Sequence, residues 1–166
     1  MGVVIKMADM INTCCFTGHR VIQSGDRQRI EANLDIILDD LYKSGVRNFI
    51  FGGALGFDLL AAQRVLKLKQ RYYGVRLIAA LPCKNQDAKW NSYQKKIYSD
   101  IVSRADEKIY VSEYYTSDCM HKRNRYMVDN SSVVVAYIVY PVGGTAYTVN
   151  YAYDCGKRIV NVLTME

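Results

Sequence analysis

An α/β fold, a parallel sheet with helices on both faces, is what this sequence predicts, and three observations carry the prediction. Short apolar runs of strand character alternate with stretches of helical periodicity along the chain, with short connections between them. The most apolar run, residues 133–137, shows no polar alternation, as expected of a strand buried on both faces. Two glycine-rich turns, at residues 52–58 and 143–148, each stand where a strand should end and a helix begin. Right-handed crossovers and a strand order of 3-2-1-4-5-6 then place the turns after strands one and four at the point where the order reverses. The turns after strands two and five lie just outside it, and ligands of such sheets bind there, beyond the C-terminal strand ends.

Residues 13–16 read as the first strand, in which Cys14 and Cys15 point to opposite faces, and it stops at Thr17-Gly18-His19-Arg20. Ser24 can cap a helix whose apolar positions Ile30, Leu34, Ile37, Leu38 and Leu41 recur at helical spacing, with Gly45 as the stop. Residues 48–51 form the second strand, and Leu59, Ala62, Val65 and Leu66 mark one face of the next helix. Residues 76–81 are the third strand, closed by Pro82, and Trp90, Tyr93, Ile97 and Ile101 line a third helix. A fourth strand at 107–111 leads to a basic helix at 119–129, which Ser117 or Asp118 can cap and on which Met120, Asn124, Met127 and Val128 share a face. The fifth strand, the helix opened by Gly143-Gly144-Thr145 and ended by Gly156, and a sixth strand at 158–162 complete the order.

With 166 residues, half of them apolar, the chain suits one buried core, read as a single domain over 1–166 with its core at about 13–162. The longest apolar run, 133–140, is too short to span a bilayer; residues 1–10 lack a signal segment and Lys6 breaks a myristoylation pattern, so a cytoplasmic protein is expected. Five cysteines without a CxxC pair read as reduced thiols, and the only histidines, His19 and His121, lack finger-like spacing, so no metal is expected. Nor does the 52–58 turn match the GxGxxG or P-loop spacing, so no cofactor is assigned. The basic residues behind the net charge of +6 are scattered among acidic ones, which favours a small anionic ligand at least as much as nucleic acid. Nucleic acid ranks last among partners, because no basic tail or RNA-recognition motif is present, and no membrane is expected.

The chemistry gathers in four places. Gly52, Gly53 and Gly56 can offer N–H groups to phosphate, as can Gly143, Gly144 and Thr145 with a hydroxyl added, while Thr17 and Gly18 close the floor between them. Tight strand-to-helix packing would explain the same glycines without a ligand; the convergence of the turns favours contact. Arg123 suits a bidentate grip on phosphate or, alternatively, a surface salt bridge. Asn124 can bond a base edge or cap a turn, and His19 and Arg20 divide in the same way between ligand and scaffold. Asp58, the one carboxylate inside a motif, can act as a favourable first-turn charge, as an acceptor for a ribose hydroxyl, or as a catalytic group. Trp90 reads as core, Cys83 lacks an activating base, and Tyr147 with Tyr151 can clamp a base or form a dimer seam.

Thr17-Gly18-His19-Arg20, GGALGFD at 52–58, Arg123-Asn124 with Met127, and GGTAYT at 143–148, in that order, resemble the SLOG superfamily, and most closely its YpsA-like group, over residues 14–162. The resemblance implies a three-layer Rossmann-like fold that binds or processes nucleotides or their derivatives, in one reading as a sensor. Thr148 joins the ligand-binding set through the last motif. Met120-His121-Lys122-Arg123 is similar to the MHxRK segment of the LOG-type phosphoribohydrolases, which cleave the N-glycosidic bond of nucleoside monophosphates, and Gly144-Thr145 to the GT of their PGGxGTxxE motif. The glutamate of that motif falls on Thr148, which has no carboxylate, so LOG-like hydrolysis or transfer would need Asp58 in its place. The related DprA group gives a nucleic-acid module as a third reading, and the resemblance is compatible with a homodimer.

Overall fold

The computed structural model of the chain describes residues 7–166, so the readings on residues 1–6, Lys6 among them, lie outside the described part. Strands β1 (Thr13–Gly18), β2 (Asn48–Phe51), β3 (Arg76–Leu81), β4 (Glu107–Tyr110), β5 (Val133–Tyr137) and β6 (Arg158–Asn161) form an all-parallel sheet. Between them run α2 (Asp26–Lys43), α3 (Phe57–Arg71), α4 (Ser92–Ser103), α5 (Cys119–Asp129) and α6 (Gly143–Asp154), with a short α1 (Met7–Ile11) ahead of β1. The layered α/β class is as the sequence predicts.

The strand order is β4-β3-β2-β1-β5-β6, which corrects the expected 3-2-1-4-5-6. Burial explains the difference. The slot beside β1 is covered on both faces, and the uniformly apolar β5 fills it, pairing from Cys14 with Val133 to Gly18 with Tyr137. By contrast β4, Glu-Lys-Ile-Tyr, alternates between half-buried and exposed, as suits an edge, and pairs only with β3. The reversal therefore falls between β1 and β5, whose turns flank the crevice directly. From the distant edge strand β4, the chain must return across the sheet to reach β5, and α5 makes that return over β3 and β1. Its buried face, Cys119, Arg123 and Met127, comes to lie beside the ends of the central strands.

Cys14 and Cys15 do fall on opposite faces, Cys14 in the core under α2, α3 and α4 and Cys15 in the core under α5 and α6. Ile30, Leu34, Ile37, Leu38 and Leu41 of α2 are all buried, and each fully covered Leu or Ile contributes about 1.5–3 kcal/mol. Arg64 of α3 grips Asp35 of α2 through Nε (2.8 Å) and Nη2, tying the two helices on that face.

Three local expectations change. Ser24 does not cap α2; the residue before the helix is Gly25 at φ 89°, and Asp26 supplies the first-turn negative charge. Asp118 precedes α5, but its Oδ1 accepts from Thr116 Oγ1 (2.8 Å) and leaves the helix N–H groups alone. Trp90 stands before α4, which Asn91 and Gln94 cap reciprocally. Trp90 still packs on the core, edge-on to Tyr98 at 5.3 Å, whereas Tyr93 is 73% exposed because the buried face of α4 runs through Tyr98, Ile101 and Val102.

Candidate functional site

Three strand-end turns and α5 meet over the reversal point. After β1, the backbone of His19 is held on both sides: its N–H donates to Tyr137 O of β5 (3.2 Å), and its carbonyl accepts from Phe57 N of α3 (3.2 Å). That contact needs two glycines. A Cβ on Gly18 would stand 2.3 Å from the Phe57 ring, and one on Gly56, at φ 80°, would stand 2.2 Å from the Arg20 carbonyl oxygen. Gly56 is therefore where backbone meets backbone, joining the turn after β2 to the turn after β1.

Both polar groups of the Gly52 peptide backbone are occupied. Asp58 Oδ2 accepts from Gly52 N (2.8 Å) and Ala54 N (3.0 Å), and Arg123 Nη1 donates to Gly52 O. Gln86 Nε2 reaches the same carbonyl at 3.5 Å and Tyr98 Oη at 3.1 Å. A Cβ on Gly52 would collide with the Arg123 guanidinium. Asp58 and Arg123 are 4% and 5% exposed, and among the described residues they make no direct ion pair. Burial pushes the Asp58 carboxyl up to about 6, against the pull of Arg123 and of the loop N–H groups. Burial likewise lowers the Arg123 pKa, opposed by Asp58. Arg123 also gives its Nε to Asn124 Oδ1 (2.7 Å) and turns Nη2 to Met120 Sδ (3.8 Å). Its donors are largely spent within the protein.

The third turn is open. Gly143, at φ 89°, and Gly144 begin α6, and an added Cβ on either would meet no atom within 4 Å. Val142 precedes the helix and no side chain caps it, so the positive end of α6 faces the crevice with Thr145 in its first turn.

These pieces enclose a cavity of about 360 Å³. Of the residues selected from sequence, Thr17, Gly18, His19, Arg20, Gly52, Asp58, Arg123, Asn124, Gly143, Gly144 and Thr145 line it. Gly53, Gly56 and Thr148 do not. Gly53 abuts Gln86, Tyr98 and Leu81, Gly56 sits on the Arg20 backbone, and Thr148 Oγ1 donates back to Gly144 O (2.8 Å) within α6. Met120, His121 and Met127 also line the cavity and were not selected. The helical period from Arg123 was the available signal: Met120 lies three residues before it and Met127 four after. Arg20 is exposed, and among the described residues its guanidinium has neither an ion pair nor a hydrogen bond. No group of three or more histidine, cysteine or acidic side chains suited to a metal is found among the described residues, nor a helix long and apolar enough to cross a membrane.

This geometry has counterparts. The YpsA family model, that of the YspA SLOG family, matches residues 15–156, from β1 through the end of α6. The chain belongs to the YspA SLOG family. Within reach of this SLOG chain, YoqJ, a prophage-derived protein of Bacillus subtilis, is 35% identical over 131 residues, covering 72% of this chain and 77% of YoqJ. The UPF0398 protein of Bacillus pumilus is 25% identical over 142 residues, covering 84% of this chain and 76% of its own. Among solved structures, DNA processing protein A of Streptococcus pneumoniae superposes at a TM-score of 0.66 with 15% identity, over 92% of this chain and 50% of that one. The Helicobacter pylori DNA processing protein A, described for its single-stranded DNA binding mode, gives 0.65 and 18%, over 92% and 66%. The SLOG chain thus spans between half and two thirds of these two proteins, and at such identities the likeness shows the fold. Ranking nucleic acid last among partners finds no support in these neighbours.

Proposed function

We propose that the crevice between the β1 and β5 turns binds the phosphate of a nucleotide or nucleotide derivative, in the manner of a sensor. One observation carries the reading: the uncapped start of α6, with Gly143 and Gly144 open to solvent, lies in the same cavity as the exposed Arg20 guanidinium, which among the described residues makes no ion pair or hydrogen bond. Main-chain N–H groups at a helix start and an available guanidinium are what an anionic oxygen needs. Met120, Met127 and Asn124 line the same cavity and offer apolar surface and one amide to a base.

The part of Arg123 changes in this reading. Its donors serve Gly52, Asn124 and Met120, so it supports the glycine turn, and Arg20 is the cation that meets the ligand. The hydrolase alternative depends on Asp58 as the reacting carboxylate, yet its Oδ2 is tied to two backbone N–H groups, a fastening that serves the loop. Thermal unfolding with a panel of nucleoside mono- and diphosphates, cyclic nucleotides and ADP-ribose-like ligands tests the proposal. A ligand at a hundredfold over its Kd adds roughly 2.7 kcal/mol, which for a chain of this size raises Tm by about 5–10 °C. A panel that stays flat at millimolar concentration rejects it.

A further inference from the structure

We infer that His19 positions the anion cradle as a neutral imidazole, with Nε2 accepting the N–H groups of Val139 and Tyr140, so that acid loosens the grip on an anion. The distances are 2.8 Å from Val139 N and 3.2 Å from Tyr140 N. A ring nitrogen that accepts two backbone N–H groups carries no proton, which leaves the proton of the neutral ring on Nδ1. The two residues it holds lie between β5 and the α6 start, three or four positions before Gly143. His19 is therefore the only side chain that hydrogen-bonds, among the described residues, to the backbone of both residues leading into the cradle. Its own backbone is bonded to β5 and α3.

Protonation turns Nε2 into a donor pointed at two donors. Both bonds are lost, and the turn can no longer stay against β1 in the same way. The surroundings favour the neutral form. The ring packs edge-on to Tyr137 (5.7 Å) and tilted against Tyr140 (5.2 Å), and burial holds its pKa below the usual value for histidine. The other charged or titratable groups around it are Arg20 from its own loop and Asp26 from the first turn of α2, Asp26 accepting from Tyr137 Oη at 3.1 Å. Asp58 from α3, and His121 and Arg123 from α5, line the shared cavity. A histidine that simply added positive charge to the site would strengthen anion binding as pH falls; a histidine that must accept predicts the reverse.

The first arm of the test needs no ligand. In a nitrogen-15 NMR titration, His19 should be the Nδ1–H tautomer at pH 7.5, and the Val139 and Tyr140 amides should move with the His19 midpoint, below pH 6.5. The sequence has only two histidines, so His121→Asn assigns the rings. His19→Gln keeps an acceptor that does not titrate and should hold both amides near their neutral-pH positions down to pH 5. An Nε2–H tautomer at pH 7.5, amides that ignore the His19 midpoint, or the same amide titration in His19→Gln would each overturn the inference. The second arm rests on the phosphate-binding reading and uses sulfate, whose charge is fixed over this range. Sulfate affinity should fall roughly tenfold across the His19 midpoint in the natural chain, and much less over the same pH range in His19→Gln. A pH dependence of sulfate binding that is the same in the natural chain and in His19→Gln would refute the positioning role. Sulfate that binds neither protein at any pH counts against the phosphate reading, and the NMR arm then decides on His19.

Discussion

Asp58 and Arg123 act on each other through a glycine. One holds the Gly52 N–H, the other its carbonyl, and both are buried, so removing either leaves the other buried without its opposite charge. Asp58→Asn and Arg123→Met should each lower the unfolding free energy by about 3–5 kcal/mol in urea. The double variant should lose about 1–3 kcal/mol less than the two together; strict additivity would mean that they are not coupled. The raised Asp58 pKa adds a pH signature. The folded chain holds this proton up to about pH 6, whereas the unfolded chain releases it near 3.8, so this group's contribution to stability falls as pH rises between those values. The loss totals roughly 3 kcal/mol and is constant above the window. His19, with its lowered pKa, has the opposite slope, losing stability as pH falls below 6.5. Urea midpoints at pH 4.5 and 7 for the natural chain and Asp58→Asn separate the two, because only the Asp58 slope vanishes in the variant. Asp58 and the glycines around it were legible in the sequence as a group with chemistry. That the carboxylate faces its own loop was not, since its donors are main-chain groups four and six residues earlier, and no residue type reports them.

Helix α6 offers the cleanest separation of cradle from turn. Gly144 is at an ordinary backbone angle, and a Cβ there meets nothing, so the fold does not require glycine at this position. Gly144→Ala should leave stability unchanged or raise it by about 0.5–1 kcal/mol, as alanine does in a helix. The same methyl should weaken an anionic ligand at the cradle by about tenfold or more, read as a reduced ligand-induced rise in Tm. If the variant keeps the full rise, the α6 start is not where the anion sits. Gly52→Ala is the contrast, since it must displace Arg123 and should cost about 1–3 kcal/mol before any ligand is added. Periodicity made these elements readable from sequence: α5 and α6 begin and end where expected, and β2, β3 and β5 match residue for residue. The caps were harder. Ser24 looks like a start signal, yet the turn made by Asp26 N to Gln23 O begins α2 one residue beyond a left-handed glycine, a matter of backbone geometry that the side chains do not specify.

At the scale of the molecule, one placement separates the expected sheet from the observed one. The two orders share β3-β2-β1, and which later strand sits beside β1 is readable in the burial demand of 133–137 against the charged alternation of 107–110, a demand that an order with strand four in that slot does not meet. The observed order gathers the β1, β2 and β5 turns with α5 over one crevice of modest size, and that size limits the partner. On the proposed reading, a nucleotide in a cavity of about 360 Å³ would meet one exposed guanidinium and one helix start, so few charges would be exchanged on binding. Its affinity should fall only about three- to sevenfold between 50 and 200 mM salt, by the slope for one or two phosphate contacts. A single strand of nucleic acid would need other cations to neutralise some six phosphates, such as the exposed Lys89, Lys84 and Lys122, the last two of which would have to leave Glu113 (3.8 Å) and Asp118 (3.2 Å). With about six such contacts, affinity should fall by more than a hundredfold over the same salt range. Titrating a mononucleotide and a short oligodeoxynucleotide at both salt concentrations therefore distinguishes the partners by slope, whatever their absolute affinities. A shallow slope with the mononucleotide, abolished by Gly144→Ala, places the ligand at α6. A steep slope with the oligonucleotide that Gly144→Ala leaves intact moves the function out of the crevice and onto the exposed lysines.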